Sequence, residues 1–305
     1  MLKSRLCIAF FAFAVGCAPA QKPLTDYVNP MLGTATLWDS VDLGFKPTKR
    51  TWGAEVFPGS SLPNAMVQVS PVTKFHSGAG YQYEDSVIYG FTHTNKGHWN
   101  LCHIPLLPVT GTPTPGDYCS PFSHERESAA PGYYQVFLDR YGVDAQLSST
   151  LRCAFHKYTY PAGAAASLLA DLQRSNEHVR AWDIRKEGDN VFAGWQQTGE
   201  KMYFYAVANR PVTGIEPVVE GDREVRIVRF GEGDGALELR IGFSFVSEKN
   251  ARENLEAEML GKSFAEVRSE ATATWNDLLG RIRVEGGTER EKGLFYSSLY
   301  RSLLL

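Results

Sequence analysis

Positive charge is what this sequence most clearly lacks. Its 31 Lys and Arg stand against 34 Asp and Glu, a formal net charge of −3 over 305 residues. No basic stripe or block of like charge stands out, so nucleic acid is not an expected partner. Cysteine is scarce as well. Two of the five, Cys7 and Cys17, fall within the first 20 residues, which leaves Cys102, Cys119 and Cys153. Three is an odd number, and their spacing is not that of a metal site. Buried, unpaired thiols are expected, with one disulfide plus a free thiol as the alternative in an oxidising compartment. Long apolar runs are missing too. The one near the start, residues 6–15, is too short for a permanent membrane anchor. No internal repeat or low-complexity stretch breaks the chain.

What is present points to a large folded body. Hydrophobic residues make up 43% and charged residues 21%, enough for one big all-β domain or two smaller ones. Aromatics reach 12%, with 14 Tyr and 17 Phe, a richness that suits strands and would also suit a sugar-binding surface. The first residues read as an export signal. Lys3 and Arg5 precede the short apolar run, and two processing patterns follow. Ala14-Val15-Gly16-Cys17 resembles a lipobox, with Cys17 to be lipidated. Ala18-Pro19-Ala20 fits cleavage before Gln21. Either way an exported protein is expected, in the periplasm or as an outer-membrane lipoprotein.

Residues 24–65 are punctuated by Gly and Pro, yet hold Trp38, Phe45, Trp52 and Phe57. A long loop carrying large aromatics either packs under a partner domain or shapes a binding site. From residue 66 to about 245, short alternating runs separated by turn signals predict many antiparallel strands in a sandwich or barrel. Pro105 and Pro108 predict an edge or bulged strand over 104–109. After Ser247 the period changes. Ser247 with Asn250 offers a cap for a helix over 251–260, and Ser263 with Glu266 fits a capping box. Phe264, Val267, Ala271, Trp275 and Leu278-Leu279 then recur at helical spacing. Residues 288–305 form a last apolar helix that stops on three leucines without a cap. The expectation is therefore a fragment: signal peptide 1–20, β-sandwich domain 21–246, helical linker 247–287, and the first helix, 288–305, of a second helical domain.

An ordered set of motifs resembles the N-terminal part of glycoside hydrolase family 92. It comprises Tyr27-Val28-Asn29-Pro30 with Gly33-Thr34, Phe57-Pro58-Gly59-Ser60, and Pro63-Asn64-Ala65-Met66-Val67. Gly80-Tyr81-Gln82-Tyr83, Phe91-Thr92-His93-Thr94, Phe122-Ser123-His124-Glu125, Pro131-Gly132-Tyr133-Tyr134 and Phe295-Tyr296-Ser297-Ser298-Leu299-Tyr300 continue it. The resemblance implies a mainly β fold, an antiparallel β-supersandwich followed by linker helices and the truncated start of an α/α barrel. It further implies a calcium-dependent α-mannosidase that removes terminal α-linked mannose, α-1,2 foremost, from mannose-containing glycans with inversion. Calcium and the catalytic carboxylates would lie in the barrel, beyond residue 305. The fragment alone is then expected to be inactive. Two departures stand out: Gly33-Thr34-Ala35 where many members have Gly-Thr-Gly, and residues 95–100, Asn-Lys-Gly-His-Trp-Asn, where many have a Leu-Ser-Gly-Thr-Gly type stretch.

No carboxylate here has a context that marks it as acid or base, so no catalytic residue is assigned. Glu84-Asp85, Glu125, Glu127 and Asp144 are expected on the surface. Substrate contacts are expected from His93, Thr94, His98, Trp99 and Asn100, because sugars bind through C–H faces on aromatic rings and through dense hydrogen bonding. Trp52 and Gly53 are added as a ring flanked by Gly at a site rim. His93, His98 and His103 recur every five residues, which fits no single helical or strand face, so no zinc site is assigned. The alternative is a non-catalytic carbohydrate-binding surface lipoprotein, anchored through Cys17.

Overall fold

The computed structural model describes residues 22–37, 44–46, 54, 56–96, 99–233 and 235–304. Two antiparallel sheets dominate. The seven-stranded sheet runs, edge to edge, Ser60–Ser61, Gln68–Val72, Gly90–Thr92, Leu106–Val109, Ser167–Ala170, Arg223–Phe230 and Val212–Glu220. The eight-stranded sheet runs Ala181–Gly188, Val191–Gln197, Lys201–Ala208, Leu237–Ser244, Cys153–Thr159, Val143–Ser149, Tyr133–Leu138 and Glu127–Ala130. Side chains alternate along each strand. In Lys201–Ala208, Met202, Phe204, Ala206 and Ala208 point into the core while their neighbours are half-buried. One core cluster joins Val69, Phe91, Leu107 and Ile227 of the first sheet to Val136, Leu147, Phe204 and Ile241 of the second. The expected sandwich is therefore the fold.

Pro105 and Pro108 do not place their strand at an edge. Leu106–Val109 lies in the middle of its sheet, with Pro108 opposite Leu168. On its other side, pairing is confined to Phe91 opposite Leu106. Pro108 thus sits where the strand is locally unpartnered, which is where a missing N–H is tolerated.

Three helices follow the sandwich: α1 (Glu248–Glu258), α2 (Phe264–Leu279) and α3 (Glu289–Ser302). Ser247 caps α1 by accepting from the Asn250 N–H. Capping boxes start α2 (Ser263 with Glu266) and α3 (Thr288 with Glu291). α1 and α2 cover the outer face of the eight-stranded sheet, burying Leu255, Met259, Phe264 and Val267 against Tyr133, Cys153 and Phe155. The approach is close at Gly242, where an added Cβ would lie 2.1 Å from the Ala251 carbonyl oxygen. Gly242→Ala is expected to destabilise the protein by about 2 kcal/mol through overpacking. Urea denaturation should show a lower midpoint at unchanged slope.

α2 and α3 also clamp the N-terminal segment. Leu24, Val28 and Phe57 pack with Trp275, Leu279, Tyr296, Tyr300 and Leu304. Trp275 Nε1–H donates to the Ser61 carbonyl at 2.8 Å. The aromatic-bearing loop is thus packed under helices at Phe57, while Phe45 is exposed and Trp38 and Trp52 lie outside the described residues. The three described cysteines are free thiols, Cys102 and Cys153 buried and Cys119 half-buried.

Candidate functional site

The strand Gly90–Thr92 feeds a small hairpin in which Asn95–Lys96 pairs with Trp99–Asn100. The chain beneath it is buried and polar. His103 Nδ1 lies 2.8 Å from Thr94 Oγ1, and Nε2 lies 3.1 Å from Thr198 Oγ1. The Thr198 hydroxyl donates to Glu177 at 2.7 Å, so it accepts from His103. That fixes the proton on Nε2 and leaves Nδ1 to accept from Thr94. Burial lowers the His103 pKa, and Glu177 opposes it. His93 Nε2 meets His156 Nε2 at 3.0 Å, and His156 Nδ1 meets the Tyr158 hydroxyl at 2.5 Å. Burial pushes His93 down to about 3 and His156 well below its ordinary value, while it raises Tyr158. Two neutral imidazoles therefore share one hydrogen bond inside the sandwich.

Cys102 and Ile104 adopt positive φ, 53° and 52°, which is strained for a non-glycine residue and most of all for a β-branched one. Their amides explain why the conformation persists. Cys102 N–H donates to Asn100 Oδ1 and Ile104 N–H to Gln196 Oε1, both at 2.8 Å. Gln196 Nε2 donates in turn to the Leu172 and Arg174 carbonyls.

The residues expected from sequence fall into three groups. His93, Thr94 and Asn100 come together in this segment with buried side chains, whereas Trp99 is 53% exposed. His98, Trp52 and Gly53 lie outside the described residues, as does Cys17. The hairpin is joined to neighbouring loops by the Asn100 N–H on the Gly78 carbonyl and by Asn176 Nδ2 on the Asn100 carbonyl. The wall continues to the motif Gly33-Thr34. Tyr83 N–H donates to the Thr34 carbonyl, and Glu84 accepts from both the N–H and the hydroxyl of Thr36.

Glu127 is not a surface carboxylate. Its side chain is 1% exposed. It accepts from the hydroxyls of Tyr81 and Tyr134, at 3.0 and 2.5 Å, and from His124 Nδ1 at 2.6 Å. His124 Nε2 reaches the Tyr83 carbonyl at 2.6 Å, and its ring stacks on Tyr83 at 3.9 Å. Burial, then the Glu127 charge, holds the Tyr81 and Tyr134 hydroxyls protonated. From the helical side, Arg301 donates to the carbonyls of Pro30, Leu32 and Phe57. This half-buried side chain ties α3 to the same loop. Sequence inspection missed Glu127, Glu177 and Arg301. The tyrosines at Tyr81 and Tyr134, which make Glu127 a buried group, are the one signal that was available.

Three carboxylates along this wall are committed: Glu84 to Thr36, Glu127 to two tyrosines and His124, Glu177 to Thr198. No group of three or more His, Cys, Asp or Glu among the described residues could hold a metal ion. An exposed indole beside polar loops suits a sugar ring.

Comparison with known proteins bears on what the wall serves. The sequence model of the glycosyl hydrolase family 92 N-terminal domain matches residues 27–254, and that of the family's catalytic domain matches residues 250–305. The chain is 24% identical to an uncharacterized secreted glycosidase of Arthroderma benhamiae, over 91% of this chain and 41% of that protein. A family GH92 alpha-mannosidase from Bacteroides thetaiotaomicron superposes with a TM-score of 0.81 at 26% identity, over 93% of this chain and 41% of that one. A family GH92 inverting mannosidase from Bacteroides thetaiotaomicron VPI-5482 gives 0.78 at 25% identity, over 92% and 40%. The chain thus spans about two fifths of the length of these relatives.

Proposed function

Because the chain belongs to glycosyl hydrolase family 92, we propose that it is the sandwich portion of an exported α-mannosidase that removes terminal α-linked mannose from mannose-containing glycans. The carrying observation is the family match over residues 27–254, together with the superposition on a family alpha-mannosidase. The related mannosidase described as inverting supports inversion in this protein as well. We assign α-1,2 as the preferred linkage. Inversion needs an acid and a base about 6.5–9.5 Å apart across the sugar. We place that pair, and the calcium ion of the family, in the catalytic domain.

In this reading the Trp99 indole supplies an apolar face for a mannose ring, and the buried His93, Thr94 and Asn100 hold the hairpin that carries it. Lipidation at Cys17 would keep the exported protein at a membrane. Among the described residues no helix is long and apolar enough to cross one.

The 305-residue chain by itself is expected to turn over no α-mannoside. A protein that includes the complete catalytic domain is expected to cleave α-linked mannobioses, to release the β-anomer first by NMR, and to lose activity with a calcium chelator. Retention of the α-anomer would defeat the inverting assignment, and no cleavage of any α-mannoside would defeat the mannosidase reading. Trp99→Ala is expected to weaken mannoside binding about tenfold, which corresponds to ~1.4 kcal/mol. Isothermal titration checks it, and an unchanged affinity would remove Trp99 from the site.

A further inference from the structure

Beside the Trp99 hairpin lies an open cleft of about 960 Å3. Its floor is the connection between the strands Ser167–Ala170 and Ala181–Gly188, and its lining includes Gln173, Asn176, Glu177, Arg180 and Trp182. We propose that this cleft is a second saccharide-binding section, which takes the internal mannose units of a glycan whose terminal mannose is held at the Trp99 hairpin. The proposal rests on the mannosidase reading for the identity of the sugar.

Continuity is the first argument. Asn176 lines the cleft, donates from Nδ2 to the Asn100 carbonyl at 2.6 Å, and donates from its N–H to the Leu101 carbonyl at 3.0 Å. Glu177 lines it as well and holds the Thr198 hydroxyl that supports His103. The cleft and the hairpin are therefore adjacent and joined by direct hydrogen bonds. Size is the second. The volume lies at the upper end of the roughly 300–1,000 Å3 typical of small-molecule sites, so it has room for more than one hexose.

Charge selects the ligand class. Arg174 and Arg223 border the cleft, but both are already engaged. Arg174 lies over the rings of Phe75 and Tyr89, 4.2 and 5.0 Å from their centres. Arg223 donates to the buried Asp171 and to the Pro115 carbonyl, each at 2.8 Å. The lining also contains Arg180 against Glu177 and Asp222, so acidic and basic groups nearly balance and an anion gains little. What remains is a mixture of donors and acceptors with one indole, the chemistry of a neutral polyol. Arg180 is exposed, and it makes no side-chain hydrogen bond to a described residue. The half-buried Trp182 has the Arg226 guanidinium over its ring at 5.2 Å, which fixes the indole plane.

The floor is preformed. The Ser175 hydroxyl donates to the Leu101 carbonyl at 2.7 Å, and Gln173 Oε1 accepts from the Glu224 N–H at 2.7 Å. A site that needs no reordering loses less of its interaction energy on binding.

The test is titration of the 305-residue chain with mannose and with α-1,2-linked mannobiose, mannotriose and mannotetraose, followed calorimetrically. Affinity is expected to rise several-fold from mannose to mannotetraose. Arg180→Ala and Trp182→Ala are each expected to weaken mannotetraose binding at least about fivefold and to leave mannose binding unchanged. Should Trp182→Ala fold poorly, the exposed Arg180 gives the same readout without touching the core. Mannotetraose binding no tighter than mannose, or indifferent to both variants, overturns the cleft, as does the absence of saccharide binding by the unaltered chain. The hydrolysis assay decides the mannosidase reading separately. A glucose- or galactose-based tetrasaccharide that binds with the same dependence on Arg180 and Trp182 would overturn mannose as the occupant.

Discussion

Trp275→Ala is expected to lower the stability of the protein by about 4–5 kcal/mol, a large share of the roughly 5–15 kcal/mol that folds a typical domain. Trp275 is fully buried, its ring lies 4.4 Å from that of Tyr300, and its N–H satisfies the Ser61 carbonyl. Removing a core Trp costs about 3–5 kcal/mol, and the carbonyl left without its partner adds about 1 kcal/mol or more. The consequence is local before it is global. Trp275 is the point at which α2, α3, the strand Ser60–Ser61 and the segment around Leu24 and Phe57 meet. Its loss should free the helices from the sandwich and, through Arg301, release the loop that carries Gly33 and Thr34. Urea denaturation gives the energy. Limited proteolysis should then show cleavage between the sandwich and α3 in the variant at protease levels that spare the parent. Trp275→Phe keeps most of the packing and should cost about half as much. A loss below about 2 kcal/mol for the alanine variant would mean that the cluster collapses around the hole.

Acidification should destabilise the protein well above the pH at which ordinary carboxylates titrate. His93 is held down to about 3 in the folded state, against an ordinary value of 6.5, because burial disfavours its charged form. His156 is lowered by the same burial and then by His93, and His103 is lowered by burial. A group with a depressed folded pKa binds fewer protons when folded than when unfolded in the interval between the two values. Its stabilising contribution is thus complete above pH 6.5 and is lost as pH falls toward 3. For His93 alone the loss is about 1.4 kcal/mol per pH unit, or about 2–3 kcal/mol between pH 6.5 and 4.5. His156 and His103 add in the same direction. Asp171, whose carboxyl is raised by burial, works against them as the acid range is entered. Denaturant titrations at pH 7.5, 6.5, 5.5 and 4.5 measure the slope. A stability flat down to pH 5 would show that the His93–His156 pair already carries a proton in the folded protein. His156→Gln should flatten the slope, since it replaces one titrating ring and removes the constraint on the other.

Much of the fold is legible in residue order because it rests on local periodicity. The alternation in residues 201–208 becomes a strand with every second side chain in the core. The spacing of Phe264, Val267, Ala271, Trp275 and Leu279 becomes the buried stripe of α2, and Ser263 with Glu266 becomes its capping box. Where the periodic signal fades, so does legibility. Ala181–Gly188 and Val212–Glu220 carry little apolar alternation in their residues. Both are edge strands, half-buried or exposed over most of their length, and the second contains Gly214 and Pro217. A strand with little to bury needs no apolar alternation, and neighbouring chain supplies its pairing.

The site divides along the same line. The motifs that identify the family, and the clustering of His93, Thr94, Trp99 and Asn100 in one short segment, are properties of residue order alone. Order also set the sandwich followed by helices, since strand and helix periods are written residue by residue. Which of those side chains face water is a tertiary outcome. Asn100 turns inward to hold the Cys102 amide, whereas its neighbour Trp99 is exposed. Glu125 and Glu127 stand two residues apart in a polar run. Glu125 is exposed, while Glu127 is buried because Tyr81 and Tyr134, on separate stretches of chain, bring hydroxyls to it. The wall of loops from residues 33–36, 78–84, 99–103 and 173–182 likewise exists only once two sheets have closed on a common core. Residue order specifies what each segment prefers locally, but burial and partnership of a polar group depend on atoms contributed by distant segments, and those distances are settled by packing.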